Sequence, residues 1–85
     1  MEQNNNLKWV TSAQALGNYN LMLSFNDGAN KVVNCKPLID KYKIFTPLLD
    51  KSVFEKFSLD GWTVSWLNGT IDISPEYLYE EGKAV

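Results

Sequence analysis

The stretch from Tyr19 to Cys35 constrains the chain most, because it reads as a β-hairpin. Tyr19, Leu21, Leu23 and Phe25 alternate with Asn20, Met22, Ser24 and Asn26. A period of two places one set on a single face of a strand. Asn26-Asp27-Gly28 follows, a turn sequence that suits the positive φ of a type I′ hairpin. The chain returns through Ala29 to Cys35 with Val33 and Cys35 inward; a slip of one residue puts Val32 and Asn34 there instead. Lys36-Pro37 ends the run, since proline has no N–H to give a ladder.

Other segments fit around this hairpin. Trp9, Val10 and Thr11 favour a strand, and Leu7 to Leu16 is read as one, although Ala13 to Leu16 would also accept a helix. Leu38 to Tyr42 reads as a short helical turn. Thr46 can cap a turn with Pro47 at its first position, and Ser52 to Glu55 fits a capping box. Residues 46–57 are thus expected to form one or two short helical turns. Phe57 to Asp60 reads as a brief strand and Gly61 as a turn. Trp62, Val64 and Trp66 alternate with Thr63 and Ser65 as a half-buried strand. Ser74-Pro75-Glu76 combines a serine cap, a first-position proline and a first-turn carboxylate. A last helix from Pro75 to about Glu81 is expected, with Gly82 as its stop.

The expected fold class is α+β, a small antiparallel sheet of four to six short strands with two or three short helices. The expected core is Leu21, Leu23, Phe25, Val33, Phe54, Trp62, Val64 and Leu78. A chain of 85 residues is one domain. It is read as a frayed N-terminus over residues 1–6 and a single domain over 7–85.

Composition excludes more than it suggests. There is no histidine and no arginine, and all 8 basic residues are lysine. Missing histidine removes most nucleophilic triads and most zinc sites. Missing arginine and a net charge of −2 argue against direct nucleic-acid binding. The single Cys35 cannot form an internal disulfide, and its strand-like setting reads as a small buried apolar residue. No apolar run is long enough to cross a membrane, and Met1 to Asn6 does not resemble a signal peptide. A cytoplasmic protein with no cofactor and no metal is the expectation.

Three stretches resemble a known family. Phe25-Asn26-Asp27-Gly28 looks like a Phe-x-Asp-Gly hairpin. Leu49-Asp50 with Val53-Phe54 resembles a central motif. Trp66-x-Asn68-Gly69, then Asp72-Ile73-x-Pro75-Glu76-x-Leu78-Tyr79, looks like a terminal signature. Together they resemble the bacterial family catalogued as domain of unknown function number 2442, over roughly residues 7–81. Leu67 stands where many members have proline, and the Trp66 to Asp72 spacing is one residue longer than the family's shorter form. The resemblance implies a small α+β fold and no established activity. It also implies a neighbouring gene for a small protein, in an arrangement like a toxin–antitoxin pair.

Several residues invite a functional reading. Asp72 and Glu76 can be a carboxylate pair, but a turn and a helix start explain them better. Trp62 and Trp66 can stack a ligand, but their period favours the core. Tyr77 and Tyr79 lie about 200° apart around a helix, so both cannot face inward. The partner-contact candidates are therefore Asn68, Gly69, Tyr77 and Tyr79, beside the acidic Glu76, Glu80 and Glu81. The expected function is a non-enzymatic interaction module, antitoxin-like or an accessory partner of a small protein encoded nearby, with a homodimer as a further expectation. The rivals are a transcription-linked module acting through a DNA-binding partner, and a small carboxylate-dependent enzyme.

Overall fold

In the computed structural model, which describes residues 7–85, the first hairpin is the hub of the molecule. The frayed lead-in expected at 1–6 lies outside the described residues. Strands β1 (Val10–Gly17), β2 (Asn20–Phe25) and β3 (Asn30–Asn34) run antiparallel in that order, and β7 (Lys83–Ala84) pairs with β3. Leu21, Leu23 and Phe25 face the core, joined by Val33 and Cys35, as the alternation predicts.

The helical segment follows. Helix α1 (Lys36–Lys41), a 3₁₀ stretch (Lys43–Leu49) and α2 (Lys51–Phe54) lead to a second antiparallel sheet, β4 (Ser58–Leu59), β5 (Val64–Trp66) and β6 (Ile71–Asp72). Helix α3 (Pro75–Glu81) returns the chain to the first sheet. The α+β class with antiparallel strands is as expected, the strands being divided between two sheets. One hydrophobic cluster joins both sheets to all three helices.

Turn chemistry differs from expectation. In the β2–β3 loop only Gly28 has positive φ, at 89°. The Gly28 N–H donates to the Phe25 carbonyl, and the Asp27 carboxylate accepts from the Ala29 N–H. This is a three-residue loop closed by a left-handed glycine, not type I′. The two-residue type I′ geometry occurs at Asn18 (φ 53°) and Tyr19 (φ 65°). A tyrosine there is locally unfavourable, and tertiary contacts hold it. Its ring meets Phe54 edge-on at 5.5 Å, its hydroxyl donates to the Leu49 carbonyl, and its own carbonyl accepts from the Cys35 N–H at 2.8 Å.

Trp62 is the one expected core residue that the structure puts elsewhere. It is 40% exposed, whereas Thr63, Val64, Ser65 and Trp66 are all buried. Alternation assumes a strand with one wet face, but β5 is central in its sheet and covered on both sides. The Thr63 hydroxyl, buried with it, donates to the Ile73 carbonyl.

Helix caps also shift. Asp50, not Ser52, caps α2, accepting from the Ser52 N–H at 2.9 Å and the Ser52 hydroxyl at 2.7 Å. Pro47 lies inside the 3₁₀ stretch rather than at a helix start. Ser74 does cap α3, accepting from the Tyr77 N–H at 3.1 Å. Gly82 ends α3 with φ −71°, so left-handed freedom is not its role. A Cβ there would lie 2.8 Å from the Lys31 Cβ and 2.9 Å from the Leu78 carbonyl oxygen. Glycine is needed because α3 closes on β3.

Candidate functional site

Helix α3 sets the two terminal tyrosines on opposite flanks. Leu78 between them is fully buried, and Tyr77 and Tyr79 are both half-buried. Their surroundings differ in kind.

Tyr79 is tied into the fold. Its hydroxyl donates to the Asp27 carboxylate at 2.6 Å, and its ring meets Phe25 edge-on at 5.0 Å. The Lys31 ammonium sits 3.7 Å from the ring centroid and donates to the Tyr79 carbonyl at 2.6 Å. Lys8 pairs with Asp27 at 3.4 Å. The Tyr79 hydroxyl, then the Ala29 N–H and Lys8, hold the Asp27 carboxyl below its ordinary pKa; the same hydrogen bond raises that of Tyr79. This network clamps α3 to the loop joining β2 and β3.

Tyr77 has no such ties. Among the described residues its hydroxyl makes no hydrogen bond. Its pKa is raised, first by desolvation and then by Glu81, with smaller effects of Cys35 and Tyr42. The ring is a wall of an open groove of about 290 Å³, whose other apolar walls are Leu38, Tyr42, Ile44, Phe45 and Ile73. Asp72 and Ser74 supply the polar edge. Tyr42 is 46% and Ile44 61% exposed on the rim. Local sequence explains this rim. The chain leaves α1 at Tyr42 in an extended conformation and re-enters a tight 3₁₀ turn. Three-residue periodicity cannot keep Tyr42, Ile44 and Phe45 on one buried face.

On the other side, Tyr77 borders a smaller depression of about 210 Å³ of mixed lining, with Asn20, Asn34, Glu81 and Lys83 beside Val32 and Pro37. Asn68 and Gly69 form the tip of the β5–β6 hairpin, with φ 59° and 85°. No hydrogen bond among the described residues joins this tip to Tyr77 or Tyr79. Leu67, with φ 53°, adopts a conformation that proline cannot take.

Asp50 and Asp60 have lowered pKa values, Asp50 chiefly through the Ser52 side chain and Asp60 chiefly through the Thr63 N–H. Burial pushes the Cys35 thiol up to about 12, which disfavours the reactive thiolate. Asp72 and Glu76 are exposed. No group of three or more metal-ligating side chains gathers among the described residues.

The sequence pointed to Tyr77 but missed Tyr42, Ile44 and Phe45. The available signal was three large apolar residues set between and after Lys41 and Lys43, in a segment too short to bury them all. Among the described residues no helix is long and apolar enough to cross a membrane.

No curated protein and no solved structure matches this chain. A family model matches residues 10–84, nearly the whole chain. On that match the chain belongs to the family described as protein of unknown function (DUF2442).

Proposed function

We propose that the protein is a non-enzymatic interaction module that receives apolar side chains of a protein partner in the Tyr77 groove. The observation that carries this reading is the exposure of Tyr42 and Ile44 on the rim of an apolar groove. Large apolar side chains left in water beside a concave apolar wall are the usual composition of an interface core, with aromatic residues as anchors. The Tyr77 hydroxyl, without a hydrogen bond among the described residues, adds a polar tip that a partner can satisfy. Among the described residues Asp72 is the one acidic residue on the groove wall, so an acid–base pair has no support there, and the carboxylate-enzyme reading loses ground.

The partner is a small protein encoded beside this gene, in an antitoxin-like or accessory arrangement. Its complementary surface is an apolar side chain or two with a donor for Asp72. The test is amide hydrogen exchange on the protein with and without the neighbouring gene product. Added protection at residues 42–45 and 73–77 supports the groove. Protection confined to the Asn68–Gly69 tip and the Tyr79 side would move the contact surface there, and no protection anywhere would remove the interaction reading.

A further inference from the structure

The two edges of the first sheet are unequal. The β7 edge has two residues, one of them Lys83, and a short, charged strand discourages pairing. The β1 edge has eight residues, Val-Thr-Ser-Ala-Gln-Ala-Leu-Gly, with no charge and no proline. Its first residue is covered, because the Val10 N–H donates to the Trp62 carbonyl at 2.9 Å. Among the described residues no other main-chain hydrogen bond reaches β1 from outside the sheet. Register shifts at Thr11 and Leu16 frame a regular stretch, Ser12 to Ala15. Along it the exposed Ser12 and Gln14 alternate with the half-buried Ala13 and Ala15, which lie against the core.

We propose that β1 is a self-association edge, whose occupant is the β1 strand of a second copy, antiparallel about a two-fold axis at Gln14. Ala13 then lies opposite Ala15 of the second copy on the core-facing side, and the two Gln14 side chains meet on the outer face. A two-fold pair matches an uncharged stretch with an uncharged stretch. It also consumes the β1 edge of each copy and leaves only the short, charged β7 edges, so the assembly closes as a dimer with one continuous sheet. Pairing with β7 instead would leave a free β1 edge at one end of every assembly and a free β7 edge at the other, and so grow a filament; Lys83 opposes it. Main-chain hydrogen bonds supply the affinity, as in other strand additions. The inference is independent of the groove's occupant, which lies on other elements.

The test is the mass of the full chain by light scattering across a micromolar to millimolar series, for wild type and Gln14→Lys. The expected result is twice the chain mass at high concentration for wild type and a shift to single mass for Gln14→Lys, partly reversed by high salt, since two lysines would face each other. Because Gln14 is exposed, the melting curve checks that the variant folds. A second measurement uses Gln14→Cys under mild oxidation, with Lys56→Cys on the helical side as control; the native Cys35 is buried. A linked dimer from Gln14→Cys well above the control is expected. A monomeric wild type across the whole series, a dimer that Gln14→Lys leaves intact, or equal linking of both cysteine variants overturns the proposal.

Discussion

The indole N–H of Trp66 donates to the Phe54 carbonyl at 2.7 Å, and the two rings stack with centroids 5.6 Å apart. Through this pair the second sheet is bolted to the helical segment, and Tyr19 extends the bolt to the first hairpin by meeting the Phe54 ring. Trp66→Phe keeps much of the stacking but leaves the buried Phe54 carbonyl without its donor, at an expected cost of about 1–3 kcal/mol. Trp66→Ala also opens a cavity, and about 3–5 kcal/mol is expected. Urea unfolding of the two variants checks the order.

The other tryptophan behaves differently. Trp62 stacks on Trp9 at the surface, with centroids 5.9 Å apart and both residues more than a third exposed. Their coupling in a double-mutant cycle with alanine is expected at about 0.5–1.5 kcal/mol. Trp62→Ala should therefore cost much less than Trp66→Ala. Equal costs would place Trp62 in the core after all.

These tryptophans show where the sequence was legible. Alternation from Leu21 to Phe25 was reliable because β2 has one dry face and one wet face. Over Trp62 to Trp66 the same pattern misled, because β5 is covered on both sides and burial there follows tertiary packing. Turn types were the least legible. Gly28 announced its positive φ, but Tyr19 adopts one only because Phe54, Leu49 and Cys35 hold it. The candidate site was half visible. Tyr77 followed from helix geometry, whereas the rim at Tyr42 and Ile44 depends on how a 3₁₀ stretch folds against α3.

Gly82 is expected to resist even the smallest side chain. Gly82→Ala pushes a methyl into the Lys31 Cβ and the Leu78 carbonyl, and an overpacking cost of about 1–3 kcal/mol is expected. Gly69 has positive φ but open space around its Cβ position. Gly69→Ala should therefore show only backbone strain. The comparison is read from thermal melts, and a harmless Gly82→Ala would mean that α3 does not close on β3 as described.

Alkaline stability should carry the mark of Cys35. Its folded pKa of about 12 lies above the ordinary 9.0. Above pH 9 the unfolded chain therefore loses a proton that the folded chain keeps, and the thiol's contribution to stability, intact below that pH, is lost as pH rises toward 12. The slope approaches about 1.4 kcal/mol per pH unit. Urea unfolding of wild type and Cys35→Ala between about pH 8 and 11 isolates this proton. Parallel pH profiles for the two proteins would contradict the burial of the thiol.

The central claim, that the Tyr77 groove is a partner-binding surface, is tested most directly by a paired measurement on Ile44→Asp. Ile44 is 61% exposed, so stability should change by no more than roughly 0.5 kcal/mol. A charge placed on the groove rim should weaken binding of the neighbouring gene product by about tenfold or more, or at least about 1.4 kcal/mol. The measurement is the melting temperature of the variant alone together with its titration against the partner. An unchanged melt with weakened binding is the predicted result; an unchanged melt with wild-type binding would contradict the account.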